Sequence, residues 1–370
     1  MAISSLRITD FRNLATVQLL PCQQGLNIIC GQNGSGKTSL LEAVYYLGLG
    51  RSFRTATSAR LIRRASKKFS IFAQLVSETE RLISVGMERE LNGATRMRMA
   101  EKDVASIAEL AAFLPIRLIN SQSHQLFESG PLFRRKYLDW GLFYLSEHFL
   151  PAWRHFERAL KQRNAVLRDK RSKRELEVWT EELIKYGLAL DTLRRDYIHR
   201  LTPVVLEIAR ELLTVSNLEI SYYPGWDEST DYISALFANY QEEFRLGHTQ
   251  FGPHRADLDV KIEGVSAKHF LSRGQQKLLI CAMILAQGML LAEHANKGLI
   301  YLVDDLPSEL DLQSRQRLIS LLSKQQTQIF VTAIESETIC RLMSDKPGVS
   351  MKVFHVEHGD VIEMADIKQS

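Results

Sequence analysis

The residues with the clearest chemistry lie at 31–38, in the run GQNGSGKT. Glycines and a Lys-Thr pair at this spacing fill the pattern G-x-x-x-x-G-K-[ST], a turn whose backbone N–H groups cradle phosphates. Gly31, Gly34 and Gly36 let the chain bend without a Cβ between its N–H groups and a phosphate oxygen. Gln32, Asn33 and Ser35 complete the turn. Lys37 brings a positive charge to the β- and γ-phosphates, and the Thr38 hydroxyl is a candidate Mg²⁺ ligand. The pattern implies a site for ATP or a related nucleoside triphosphate. Much later, the run GLIYLVDD ends on Asp304 and Asp305. The first acid can organise Mg²⁺; the second, with Lys37, is a candidate catalytic group that polarises an attacking water. A third group lies in LSRGQQK, where Ser272, Arg273, Gly274 and Gln275 open an apolar helix. A hydroxyl and free N–H groups at a helix start make a second phosphate site. One nucleotide rarely needs two such cradles from one chain, so a head-to-tail dimer is the economical expectation, this helix facing the partner's nucleotide.

Elements of the right kind surround these residues. Leu26, Ile28, Ile29 and Cys30 read as a buried strand running into the turn, and Leu40, Leu41, Val44 and Leu47 as a helix leaving it. Leu299, Ile300, Tyr301, Leu302 and Val303 read as a second buried strand ending on the paired acids. Alternation over 69–99, with a turn at Asn92 and Gly93, predicts a β-meander. From 131 to 215 the apolar spacing is helical, and no heptad run is sustained. Strands are expected again near 217–223 and 258–262. The expected organisation is a first nucleotide-binding part at 1–119, a mostly helical lobe at 120–247, and a second nucleotide-binding part at 248–370, its 272–275 helix packing toward the helical lobe.

The 370 residues can bury a large core, and 45% hydrophobic with 24% charged residues is ordinary for a globular chain. No uninterrupted apolar run approaches bilayer length, and the N-terminus lacks an apolar signal core. The four cysteines form no C-x-x-C pair, so zinc or disulfides are not expected and the cytoplasm is the expected compartment. The net charge of +4 is mild, but its distribution is uneven. Residues 51–68 hold seven Lys or Arg and no acid, and 154–174 hold nine against two. Arg60, Arg63, Arg64, Lys67 and Lys68 in the first stretch, and Lys161 and Arg163 in the second, are candidate DNA contacts. His254 and Asp257, in FGPHRADL, are expected to brace the junction between lobes rather than to bind metal.

Taken in order, the P-loop, the LSxGQ-type stretch, the apolar strand ending Asp-Asp and the SELD at 308–311 resemble the ABC-type ATPase heads, and among them the structural-maintenance-of-chromosomes group. LRITDFRN, GRSFRT, GPLFRRKYLDW, KQRN, FGPHRADL and LSRGQQKL, spread over nearly the whole chain, are similar to the RecF family of bacterial recombination mediators. The resemblance implies an α/β P-loop ABC-type ATPase head with an inserted, mostly helical lobe and no long coiled coil. It implies an ATP-dependent homodimer on single-stranded and gapped duplex DNA, working with RecO and RecR to load RecA at gaps, with roles in replication and the SOS response. It also implies a Q-loop glutamine on the metal, Gln122 or Gln125. Three departures bear on rate: Arg273 replaces a signature glycine, Thr332 lies in a segment without the usual switch histidine, and Asp305 stands in place of Glu. A slow DNA-dependent ATPase used as a switch, with no other catalytic activity, is therefore expected. A transporter ATPase subunit and an ABC-head nuclease are the alternatives. The helical insert and missing histidine count against the first, and the lack of a further acid cluster against the second.

Overall fold

The computed structural model describes residues 1–77, 79–170, 172–295, 298–305, 310–342 and 349–364; Ser308 and Glu309 of the SELD stretch lie outside them. Its contacts divide the chain into two units, one of 1–123 with 277–370 and one of 124–276.

The first unit begins with β1 (Ala2–Phe11), β2 (Leu14–Leu19), β3 (Gly25–Cys30), α1 (Lys37–Leu49), β4 (Lys68–Val76), β5 (Leu82–Glu90), β6 (Thr95–Met99), β7 (Lys102–Asp103), α2 (Ile107–Phe113) and β8 (Ile116–Ile119). The second unit holds α3 (Gln125–Glu128), α4 (Pro131–Leu145), α5 (Phe149–Asp169), α6 (Lys173–Leu212), β9 (Leu218–Tyr223), α7 (Tyr232–Ala238), α8 (Tyr240–Leu246), β10 (Asp257–Ile262), β11 (Val265–Ser266) and α9 (Ala267–Phe270). The chain returns through α10 (Arg273–Ala295) to β12 (Ile300–Val303), α11 (Leu312–Lys324), β13 (Gln328–Ala333), α12 (Ser336–Leu342), β14 (Met351–Glu357) and β15 (Asp360–Met364).

Two six-stranded sheets build the first unit. The order β15-β14-β3-β13-β12-β8 is parallel except at the β14–β15 hairpin. Its inner strands are apolar on both faces, as parallel strands covered on two sides must be; all of β12 is buried. The other sheet, β2-β1-β4-β5-β6-β7, is antiparallel throughout, and its strands alternate because only one face is covered. In β4 that buries Phe69, Ile71, Ala73 and Leu75. Helix α1 is buried on nearly every side, and one apolar cluster joins its Leu40, Leu41, Val44 and Leu47 to residues of both sheets. Packing on all sides fixes the start of α1, which follows the P-loop, relative to the strands that carry the other site residues.

The second unit is helical apart from the antiparallel sheet β11-β10-β9. Helix α6 runs for 40 residues, about 60 Å at helical rise, with Ser172 capping its start and α5 packed along it. The unit's boundary corrects the expected return to the nucleotide-binding part at 248. Strand β10 pairs over its whole length with β9, so 248–276 belongs with the helices, and the return lies at 276–277. His254 and Asp257 act inside this unit: Asp257 takes a two-pronged contact from Arg134 at 2.6 and 3.0 Å, and His254 Nε2 donates to the Thr249 carbonyl at 3.2 Å. Helix α10 is long and apolar enough to cross a bilayer by length and composition, but it is largely buried inside the fold.

Candidate nucleotide site

The P-loop occupies the turn between β3 and α1, at the carboxyl ends of the parallel strands, where open α/β sheets place ligands. Glycine is required at both of its ends. Gly31 has φ +147° and a Cβ there would overlap the Val356 carbonyl oxygen; Gly36 has φ +129° as the N-cap of α1. Gln32, Asn33 and Gly34 are exposed at the crest, and the Ser35 hydroxyl is buried without a hydrogen-bond partner. Lys37 Nζ folds back to donate to the Gly31 and Gln32 carbonyls at 2.7 and 2.9 Å, outlining the space a phosphate would take. Burial pulls the Lys37 pKa down, and the nearby Asp305 and Asp304 carboxylates oppose that shift.

Strand β12 delivers Asp304 to the same place. The Thr38 hydroxyl donates to Asp304 Oδ1 at 3.0 Å, and the Thr332 hydroxyl, from β13, donates to the same oxygen at 3.1 Å. The Asp304 N–H is held by the Ile119 carbonyl of β8 at 2.9 Å, so three adjacent strands fix this carboxylate. Burial raises the Asp304 pKa, and the two hydroxyls counter it. A desolvated carboxylate beside a threonine hydroxyl is a pair of hard oxygen donors, and the donor set fits Mg²⁺. Asp305 is exposed and has left-handed backbone (φ +54°), with its N–H bonded to Thr332 Oγ1 at 2.7 Å. Around these groups lies a cavity of about 510 Å³, bordered also by Arg12, Asn13, Arg54 and Arg60.

Those four, and Thr332 as the partner of both acids, were not assigned to the nucleotide site from the sequence. Arg12 forks onto the buried Glu42 of α1 at 2.9 and 2.7 Å, and Glu42 also takes the Ser52 hydroxyl. Asn13 donates to the Ser35 carbonyl at 2.9 Å, bracing the P-loop from the β1–β2 turn. The signal was present in LRITDFRN and GRSFRT, but local spacing does not say which way an arginine turns. Arg60, expected on DNA, borders this cavity, and its carbonyl takes a bond from Arg12 at 3.1 Å.

The other expected residues fall elsewhere. Gln122 follows β8, exposed, and is not among the residues bordering the cavity; its N–H is held by Asn120 Oδ1 at 3.0 Å. Gln125 starts α3 in the second unit. Ser272, Arg273, Gly274 and Gln275 also lie in the second unit, Ser272 and Arg273 exposed. Ser272 and Gln275 form a reciprocal capping box, with Ser272 N–H to Gln275 Oε1 at 3.0 Å and Gln275 N–H to Ser272 Oγ at 3.4 Å. Arg64 and Lys67 are exposed, Arg63 stands 3.9 Å from Asp10, and Lys68 is paired with Glu88 at 2.7 Å. Lys161 is exposed on α5. Arg163 corrects the DNA expectation: it is 1% exposed, 2.7 Å from the wholly buried Glu243, and bonds Thr180 and Thr249. A buried, paired guanidinium cannot reach a phosphate without unfolding its surroundings.

Residues 2–359 match the family described as the RecF/RecN/SMC N-terminal domain. The chain is 41% identical over 359 residues to a "DNA replication and repair protein RecF" of Shewanella frigidimarina, covering 97% of this chain and 98% of that protein. It is 44% identical over 361 residues to the protein of the same name from Shewanella denitrificans, covering 98% and 99%. Among solved structures, "the recombination mediator protein RecF-ATPrS in RecFOR pathway" superposes with a TM-score of 0.84 at 24% identity, covering 98% of each chain. An Smc head bound to the C-terminal winged-helix domain of ScpA gives a TM-score of 0.63 at 14% identity, covering 100% of this chain and 99% of that one. These structural likenesses place the fold with the RecF and Smc ATPase heads.

Proposed function

The chain belongs to the RecF family, and on that premise we propose that it is an ATP-dependent DNA-binding protein of recombinational repair. The relatives it matches are named for DNA replication and repair. The observation that carries the ATP reading is the convergence of Lys37, Thr38 and Asp304 on one cavity, with Thr38 3.0 Å from Asp304. Lys37 exchanges its two carbonyl partners for the β- and γ-phosphates. Thr38 Oγ1 and Asp304 would hold Mg²⁺, which would supply charge neutralisation at the phosphates. Asp305, exposed at the rim, takes the position of the water-polarising acid, and Arg12, Arg54 and Arg60 add positive charge around the nucleotide. Asp305 is one methylene shorter than glutamate, so its reach to a water is poorer and turnover is slow.

ATP joins two protomers, with Ser272, Arg273, Gly274 and Gln275 of each set against the nucleotide of the other. The dimer gathers Arg63, Arg64 and Lys67 from both copies into one basic surface for single-stranded or gapped duplex DNA. RecO and RecR are the partners, the outcome is RecA loading at gaps, with roles in replication and SOS induction, and the compartment is the cytoplasm. Sedimentation velocity of wild type and Lys37→Ala, each with and without ATP and DNA, tests the reading. Wild type should sediment as a dimer only with ATP, and Lys37→Ala should stay monomeric and lose ATP binding. ATP affinity within about threefold of wild type in Lys37→Ala, under ~0.7 kcal/mol, would remove the assigned role of the lysine.

A further inference from the structure

The antiparallel sheet of the first unit has one buried face and one open face, and the open face carries a ring that core packing does not explain. Along β4, Ser70, Phe72 and Gln74 point away from the core, and Phe72 is 41% exposed. Strand register sets Phe72 in a row across the sheet, with Arg7 of β1 on one side, Gly86 of β5 on the other, and Arg98 of β6 beyond the glycine. Directly paired residues share a face, so these side chains stand together. The flanking rows are small and polar: Thr9 and Ser70 lead to Glu88 and Arg96 on one side, and Ser5, Gln74 and Ser84 lie on the other.

Gly86 is not a demand of the backbone. Its φ is not among the positive values, and a Cβ there would meet the Phe72 ring at 3.7 Å and the Ile71 carbonyl at 3.9 Å, both ordinary contacts. Glycine inside a strand weakens it, and one that sits in regular pairing without a bulge or positive φ leaves room for a ligand to approach closely. What Gly86 provides is a flank of the Phe72 ring that no side chain covers, the ring edge lying 3.7 Å from where a Cβ would stand and Arg98 pairing on the strand beyond. The charge around this flank is positive. Arg7 takes no ion pair among the described residues; Arg96 and Arg98 share one carboxylate, Asp103, at 3.5 Å each.

We propose that this face is a binding site for single-stranded DNA, an unpaired base stacking on Phe72 over Gly86, with phosphates on Arg7 to one side and on Arg96 and Arg98 to the other. Aromatic platforms flanked by cations hold single strands because every unpaired base offers a free π-face, which a base inside a duplex does not. A docking protein would need an apolar patch, and a lone ring among Ser, Thr and Gln does not provide one. The proposal rests on the DNA-binding reading above.

The test is fluorescence anisotropy of the full chain without nucleotide, using labelled oligo(dT) and a blunt duplex of equal length. Phe72→Leu should weaken oligo(dT) binding by roughly fivefold or more and leave duplex binding within about twofold. Gly86→Val, which covers that flank with a residue favoured in strands, should cause the same selective loss. Circular dichroism of each variant confirms its fold. If wild type binds neither substrate, this site falls, and the DNA reading falls with it only if adding ATP restores no binding. If wild type binds duplex but not oligo(dT), this site falls and the DNA reading stands. The same holds if both variants keep oligo(dT) binding, or lose both substrates equally.

Discussion

Arg163→Met is the sharpest way to separate structure from DNA contact in the basic stretch 154–174. The substitution leaves the Glu243 carboxylate, 0% exposed, without the cation now 2.7 Å away. Its other partners are not orphaned. Thr180 still donates to the Leu176 carbonyl at 2.7 Å, and Thr249 donates to Asn164 Oδ1 at 2.8 Å. The cost is therefore almost wholly that of one stranded buried charge, about 3–5 kcal/mol, a large part of the ~5–15 kcal/mol that holds a domain folded. Replacing both partners by apolar residues removes the stranded charge, so Arg163→Met with Glu243→Leu should recover about half the loss or more. The assay is urea unfolding by tryptophan fluorescence. All four tryptophans, Trp140, Trp153, Trp179 and Trp226, lie in 124–276, so their emission reports this unit alone. Under conditions where the variant is folded, the slope of log affinity against log salt for DNA should not change, whereas losing a true phosphate contact would flatten it by roughly 0.9. An unchanged urea midpoint, a double variant no better than the sum of its singles, or a flattened salt slope would each refute the burial argument.

Three further outcomes follow from the same geometry. Burial raises the Asp304 pKa, so its charged form costs stability above the unfolded-state pKa, and that cost is relieved as pH falls through the raised folded value; Asp304→Asn should melt a few degrees higher than wild type at pH 7 without nucleotide, converge with it on acidification, and lose Mg²⁺-dependent ATP binding in calorimetry. Burial pushes the His254 pKa down to about 4, so the unfolded chain binds the proton first and stability is lost as pH falls from about 6.5 towards 4; wild type should lose about 2 kcal/mol between pH 7 and 5 by tryptophan-monitored urea unfolding, and His254→Phe should lose less by that amount. Ser272→Arg should retain ATP binding but show no ATP-dependent dimer by sedimentation, and a variant that still dimerises removes the trans role of this helix start.

The parts of the molecule legible in the sequence are those whose chemistry is contiguous. Residues 31–38 carry their own reasons for each glycine and for Lys37 and Thr38, and the structure sets them in the turn after β3 and the first two residues of α1. The burial of Arg163 does not show in the charge count along the chain, only in the spacing around the helix. It falls on the stripe Phe156, Ala159, Arg163, Val166, all buried, at the three- and four-residue spacing of an inward helical face. The periodicity carried the answer; the composition obscured it. The return from the helical unit is hidden in the sequence for a different reason. Strand β10 looks like the start of a new sheet, and only its pairing with β9, across two helices, assigns it to the second unit. Long-range pairing leaves little local trace. The cluster of Arg12, Arg54 and Arg60 at the cavity shows the same limit, since a run of arginines states a charge but not a direction.

The arrangement of β1 bears on how nucleotide could influence DNA. The same strand carries Arg7 to the open face beside Phe72 and, through the turn at its end, Arg12 and Asn13 to the nucleotide cavity. That continuity invites a mechanical link, but β1 is a poor moving part. Ile3, Leu6, Ile8 and Phe11 are buried, β2 and β4 bond it along both edges, and Arg12 is pinned to Glu42 of a fully packed helix. Close-packed elements of this kind switch only if a second packing exists. On the proposed reading, ATP acts on DNA by joining two preformed faces, and the gain is one of effective concentration. Affinity for a strand short enough to occupy one face should be the same with and without ATP, while a strand long enough to bridge two faces should bind more tightly with it. Ser272→Arg separates the two routes: blocking the dimer should erase the ATP effect on the long strand and leave the short strand untouched. An ATP effect on the short strand in that variant would mean that the face itself is remodelled.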